Sequence, residues 1–296
     1  MALLGSSLGA CSRDTQQSRS KGGQAPRTAS SKRQTIQNKG SDTLVNVAQT
    51  WAEAYARLRP DTPIAVSGGG TGTGVSALIN GTADIVNASR ELTRKELDMA
   101  KQRGVEPVAR VVGHDAVVIF VHNDNPRKSF SIAELVEIYG EFGRVDRWSQ
   151  IGVRVPGCPS DEIVRLSRQN NSGTYEYFKQ AILGKKREFK FGSRDLHGSK
   201  DVVDLVGKTP CAIGYSGLAY STPAVQMACI QKGDECVAPS VKSALDGSYP
   251  IARPLFMVTD GPPQGAVEAY LNWIDTDVGQ CMIAKQGYAP VRHVKC

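Results

Sequence analysis

From residue 36 onward, short apolar runs alternate with segments whose apolar positions recur at helical spacing, the pattern of an α/β chain. Ile36-Gln37-Asn38 predicts a strand, and Leu44, Ala48, Trp51, Tyr55 and Leu58 then fall on one helical face, with Ser41 or Asp42 placed to cap that helix. Ile64-Ala65-Val66 predicts the next strand, and the glycine-rich turn from Ser67 to Gly74 leads to a helix opened by Val75, Leu78 and Ile79. Asp84 to Arg90 is a third strand ending in polar residues, after which Thr93 and Glu96 form a capping box for a helix reaching about Arg103. Val108 to Val112 and Ala116 to Val121 read as two further strands, the second apolar throughout and so expected to be buried on both faces. Ser131 and Glu134 make a second capping box, for a helix carrying Leu135, Val136, Ile138 and Tyr139.

The centre of the pattern is the stretch from Arg168 to Thr174. Ile163 to Ser167 alternates as a half-buried strand does, and Tyr175, Phe178 and Ile182 resume helical spacing, so Ser172, Gly173 and Thr174 open a helix. There several backbone N–H groups lack an intrahelical partner and the dipole is positive, a setting that favours anions. Gly173 admits a ligand close to the backbone, the two hydroxyls add donors, and Arg168 offers a planar fork matched to a tetrahedral oxyanion. An ordinary capped helix beside a surface arginine is the plain alternative. The glycine turn is a second possible anion nest; it gives no clean G-x-G-x-x-G and no Lys-Ser/Thr pair to complete a P-loop, which argues against a nucleotide.

Composition changes this picture in three places. With 296 residues and 40% hydrophobic content the chain can bury a substantial core, and it has no run of about 18 apolar residues to span a membrane as a helix. Its net charge of +7 suggests nucleic acid until it is located: residues 12–35 hold Arg13, Arg19, Lys21, Arg27, Lys32 and Arg33 against Asp14, with no aromatic residue to stack on bases. This is the composition of a flexible basic tether, and no nucleic-acid partner is expected. Ahead of it, Leu8-Gly9-Ala10-Cys11 resembles a bacterial lipobox, making Cys11 a lipidation candidate and residues 1–11 a partial lipoprotein signal, short of a full n-region and h-region. A start upstream of Met1 would account for the deficit, and a tail of no consequence is the other reading.

The remaining six cysteines, Cys158, Cys211, Cys229, Cys236, Cys281 and Cys296, are even in number, form no C-x-x-C pair and have no histidine at metal-ligand spacing. Up to three disulfides in an oxidising compartment are expected, with Cys229 and Cys236, which flank a turn, as the leading pair; buried free thiols are the alternative. No metal and no cofactor is expected. His114, His122, His197 and His293 are dispersed, and Gly214-Tyr215-Ser216-Gly217 falls one residue short of a nucleophile elbow, so a phosphatase or other hydrolase lacks its nucleophile-base pair.

Several motifs in order, Gly40 to Leu44, Ser67 to Gly74, Ala83 to Arg90, Ile138-Tyr139-Gly140 with Trp148, Arg168 with Ser172-Gly173-Thr174, and Ala212 to Tyr215, resemble the phosphate-binding receptor of the bacterial phosphate ABC importer, the PstS family. Tyr249 to Leu255 and Gly279 to Pro290 are similar to that family's closing strand and last helix, so the resemblance covers roughly residues 36–292. It implies an α/β, two-lobed type II periplasmic-binding-protein fold with the ligand between the lobes: 36–113 as the first part of lobe one, 114–250 as lobe two, and 251–296 as the rest of lobe one. It implies a non-enzymatic, monomeric receptor in the periplasm or on the outer face of the membrane, handing inorganic phosphate to the transmembrane subunits of an ABC importer. Another oxyanion such as sulfate or arsenate, or a sensor or adhesion role for the fold, are the alternatives.

Carried over position by position, the family pattern implies phosphate contacts from Ser41, Asp42 and Thr43, from Thr71 and Gly72, from Ser89 and Arg90, and from Arg168, Asn170, Ser172, Gly173 and Thr174. Members resembling the best-known form have an aspartate where this chain has Arg90. That carboxylate accepts a hydrogen bond from protonated phosphate, a role that here would fall to Asp42.

Overall fold

The computed structural model describes residues 35–296. The lipobox-like segment and the basic tether up to residue 34 lie outside the described residues. Three parallel strands, β1 (Ile36–Gly40), β2 (Ile64–Ser67) and β3 (Ile85–Ala88), alternate with helices α1 (Val45–Leu58), α2 (Thr71–Ile79) and α3 (Arg94–Gln102). The long strand β4 (Pro107–His122) follows, then β5 (Ser129–Ser131), α4 (Ile132–Tyr139), β6 (Val164–Arg168), α5 (Gly173–Phe178) and β7 (Arg194–Leu196). The chain continues through α6 (Ser199–Lys208), β8 (Ala212–Gly217), β9 (Val225–Lys232), β10 (Glu235–Val237), α7 (Val241–Leu245), β11 (Ala252–Asp260), α8 (Gly265–Ile274) and α9 (Asp277–Lys285).

Both halves of the molecule use one strand order. In the first half β2-β1-β3 are parallel, β11 is antiparallel to β3, and the first part of β4 pairs antiparallel with β11. The second half repeats this with β7-β6-β8 parallel, the second part of β4 antiparallel to β8, and β9 antiparallel to β4. One hydrogen-bonded path therefore runs β2-β1-β3-β11-β4-β8-β6-β7. Three separate apolar clusters flank it, the smallest of them around Val75, Leu78, Val86 and Val258. Trp51, Tyr55, Val112, Leu255, Met257, Tyr270 and Tyr288 pack in the first lobe, while Phe120, Tyr139, Trp148, Phe178 and Tyr215 pack in the second.

The apolar runs at the two ends of β4 were expected as separate strands, yet β4 is continuous. Gly113, His114 and Asp115 interrupt the apolar pattern but keep their backbone pairing, opposite Leu255, Pro254 and Arg253 of β11. Gly113 is required there: a Cβ would lie 2.3 Å from Ile283 Cδ1 and 3.0 Å from the Ala289 carbonyl oxygen. Both expected capping boxes form, at Thr93/Glu96 and Ser131/Glu134. Three disulfides, Cys158–Cys211, Cys229–Cys236 and Cys281–Cys296, use all six cysteines of the described residues. No helix among the described residues is long and apolar enough to cross a membrane.

Candidate functional site

Arg168 ends β6, whose last three residues are all buried, and its side chain is only 1% exposed. Nε and Nη2 donate to the His197 carbonyl (3.2 and 2.7 Å), Nη1 to Ser199 Oγ (2.8 Å) and Nη2 to Asp42 Oδ2 (3.0 Å). Burial pulls this guanidinium below its ordinary pKa and the adjacent Asp42 opposes the shift. Asp42 lies in the turn after β1. Its other oxygen accepts the Gly69 backbone N–H (2.8 Å), so the carboxylate both orients Arg168 and ties down the glycine turn. It does not cap α1, whose N-cap residue is Leu44 and carries no side-chain cap bond.

Five buried hydroxyls, those of Ser41 and Thr43 flanking Asp42 in sequence, contact one another. Ser41 Oγ donates to Ser89 Oγ (2.8 Å), Thr71 Oγ1 lies 3.5 Å from Ser89 Oγ and accepts the Ser89 N–H (3.2 Å), and Thr43 Oγ1 is 2.9 Å from Thr174 Oγ1. Gly173 presses against them: a Cβ there would stand 2.3 Å from Thr71 Oγ1 and 2.5 Å from Ser89 Oγ. Tyr220 donates to the carbonyls of Asp42 and Thr43, and Tyr288 to that of Thr43, fixing the turn that presents these groups. Burial raises the pKa of both phenols, keeping them donors.

Of the sequence-predicted residues, Ser41, Thr43, Thr71, Ser89, Gly173 and Thr174 are thus brought together, with Arg168 and Asp42 alongside. Four others are placed differently. Arg90 is turned away: Nη1 and Nη2 grip both oxygens of Glu96 (2.7 and 2.8 Å) and Nη1 also donates to the Glu91 carbonyl. Glu96, the capping-box residue of α3, is the nearer anion, and burial raises its pKa less than the Arg90 and Thr93 bonds lower it. Asn170 is exposed in the turn. Its neighbour Asn171 makes the interlobe contacts instead, donating from Nδ2 to the Gly69 carbonyl (2.9 Å) and accepting the Gly72 N–H at its own carbonyl (3.0 Å). The Gly72 donor is thereby occupied. Ser172 is the N-cap of α5, its Oγ accepting the N–H groups of Thr174 and Tyr175, donors that the sequence had left free for a ligand.

Sequence reasoning missed Arg253 and Asp115. Arg253, near the start of β11, has a fully buried side chain, and its Nε and Nη2 donate to Asp115 Oδ2 at 3.2 and 2.8 Å. Nη2 also reaches Thr43 Oγ1 (3.3 Å) and Thr174 Oγ1 (3.1 Å), and Nη1 donates to the Ser89 carbonyl (3.0 Å). Burial pushes the Asp115 carboxyl up while Arg253 pulls it down. The signal was present: Asp115 directly precedes the apolar run Ala116 to Val121, and Arg253 sits just ahead of the apolar run Leu255 to Val258.

Two buried guanidiniums and five buried hydroxyls, from both lobes, are a donor set with the chemistry to hold an anion. No group of three or more His, Cys, Asp or Glu among the described residues could hold a metal ion. Comparison with known proteins agrees with this geometry. A family model for the PBP superfamily domain matches residues 25–277. The phosphate-binding protein PstS of Pseudomonas aeruginosa is 34% identical over 266 residues, covering 85% of this chain and 81% of its own, and the protein SphX of Synechococcus elongatus is 29% identical over 276 residues, covering 89% and 79%. Among solved structures, one from Clostridium perfringens, described as a phosphate ABC transporter substrate-binding protein with bound phosphate, superposes with a TM-score of 0.77 at 25% identity, covering 88% of this chain and all of its own. The extent of these matches, together with the repeated strand order and the two-lobed core, establishes that the chain belongs to the PstS family of phosphate-binding proteins within the periplasmic-binding-protein superfamily.

Proposed function

We propose that this protein captures inorganic phosphate between its lobes, one ion per chain, and delivers it outside the cytoplasm to the membrane subunits of an ABC importer. The observation that carries the reading is that Arg253 and the hydroxyls of Ser41, Thr43, Thr71, Ser89 and Thr174 join in linked contacts beside Gly173, with the buried Arg168 held by Asp42 between Ser41 and Thr43. Such a site supplies charge-assisted and neutral donors to every face of a tetrahedral anion. The names of the relatives, and the phosphate in the Clostridium perfringens structure, point to the same ligand. With lobe boundaries at residues 113/114 and 250/251, the ligand would lie beside the facing Asp115 and Arg253 of β4 and β11. The role is capture without turnover, by a monomer, and three disulfides suit an extracytoplasmic compartment. Cys11 would add a lipid anchor, which mass spectrometry of the protein from its native membrane would reveal as an acylated N-terminal peptide.

Arsenate shares the shape and protonation of phosphate and should compete. Sulfate differs because it carries no proton to donate. Every carboxylate oxygen of Asp42 and Asp115 already accepts a protein N–H, so beside their remaining lone pairs the hydroxyls offer neutral side-chain acceptors for a ligand proton. Calorimetric titration with phosphate and with sulfate tests the proposal. Stoichiometric phosphate binding with weaker sulfate binding supports it, and preference for sulfate refutes it.

A further inference from the structure

We infer that Arg253 is a second anion-binding arginine of this site, held in place by Asp115 at the crossing of the two strands that join the lobes. The inference rests on the phosphate reading above and extends it to a residue of the closing strand that was not among the expected phosphate contacts.

Arg253 and Asp115 face each other directly in the antiparallel register of β11 and β4, and both side chains are 0% exposed. Removing a guanidinium and a carboxylate from water is costly, and one mutual contact does not repay it well. A purely structural pair would be expected to spend its donors on each other and on nearby backbone. Arg253 does otherwise. Beyond Asp115, its Nη2 reaches the hydroxyls of Thr43 and Thr174, one from each lobe, and its Nη1 reaches the carbonyl of Ser89. All three partners belong to the hydroxyl cluster around Gly173. The Tyr177 ring, 5.5 Å from the Arg253 Cζ, closes the guanidinium from the other side and favours its charge.

Position on the fold separates the two arginines. Arg168 meets Asp42 only across the interlobe cleft, so its setting depends on closure. Arg253 and Asp115 lie opposite each other on the paired strands β11 and β4, where β4 passes from one core to the other, so their pair forms a fixed floor. The four charges Arg168, Arg253, Asp42 and Asp115 cancel, and Asp115, with Oδ1 on the Leu218 N–H and Oδ2 on Arg253, is a positioning residue that keeps the guanidinium aimed at the threonines.

The test is calorimetric titration of inorganic phosphate into wild type and the double variant Arg253→Gln/Asp115→Asn, which removes both buried charges at nearly constant shape, with melting of each measured without phosphate. A merely structural pair would change melting and leave affinity alone. The inference expects the reverse: melting without phosphate close to wild type, phosphate affinity reduced at least tenfold, and a smaller gain in affinity as rising pH converts the ligand to its dianion. Affinity within threefold of wild type overturns it. Should the double variant not fold, Arg253→Lys decides, because it keeps the charge and loses the fork: a fivefold or greater loss supports the inference, and unchanged affinity overturns it. Failure of the wild type itself to bind phosphate would instead refute the functional proposal, so the two failures are distinguishable.

Discussion

Replacing Gly173 by alanine is the sharpest small perturbation of the site. The added methyl would lie 2.3 Å from Thr71 Oγ1, 2.5 Å from Ser89 Oγ and 3.1 Å from Thr71 Cβ, where a normal contact needs about 3.4 Å. Neither hydroxyl can swing aside alone, since Thr71 Oγ1 holds the Ser89 N–H and Ser89 Oγ takes the proton of Ser41. All of these belong to the first lobe and Gly173 to the second, so relief comes by holding the lobes apart by about 1 Å, a strain typical of overpacking at ~1–3 kcal/mol. Phosphate affinity should therefore fall about 5- to 150-fold. The fold should tolerate the change: Gly173 is the first residue of α5, alanine is the better helix former by ~1 kcal/mol, and the clash lies between lobes rather than within a core. Titration calorimetry paired with melting in the absence of phosphate reads both effects. Affinity within twofold of wild type, or a collapse of unliganded melting, would refute the closed arrangement of the lobes around Gly173.

Arg168→Ala should weaken phosphate and arsenate alike by ~2–5 kcal/mol, because it strips the site of a desolvated charge and leaves Asp42 without its partner; competition titration checks it. Asp42→Asn should shift phosphate and sulfate affinities in the same direction with little change in their ratio, since both Asp42 oxygens serve Arg168 and Gly69; a collapse of the ratio would return the proton-acceptor role to Asp42. For His114, burial lowers the pKa against an opposing bond from Pro290, so between that lowered value and the ordinary ~6.5 the unfolded chain holds more protons than the folded one. Stability is then full above about pH 6.5 and lost as pH falls below it, and His114→Gln should flatten this part of a melting-versus-pH series.

The alternation of strands and helices was legible because period two and period 3.6 leave different traces in an α/β chain. What escaped were features decided between segments. The start of α2 at Thr71 is hidden by poor helix formers and by Gly69 and Gly70 at φ values of 110° and 92°, backbone held by the Gly69 N–H on Asp42 and the Gly70 N–H on the Gly40 carbonyl. Arg90 was placed in the site by its motif, but the side chain follows the nearest buried carboxylate, and Glu96 six residues on supplies it. Two adjacent asparagines cannot be ranked from composition, and only the turn geometry sends Asn171 rather than Asn170 across to Gly69. Arg253 and Asp115 lie 138 residues apart and become a pair solely through strand register.

The most direct measurement of the central claim is small-angle scattering combined with calorimetry as inorganic phosphate is added to the full chain. One phosphate per chain, with compaction or with a profile already matching the closed lobes, is the predicted result, since the ligand stabilises the state in which Arg168, Arg253 and the hydroxyls converge. No detectable heat and an unchanged profile at millimolar phosphate would contradict it.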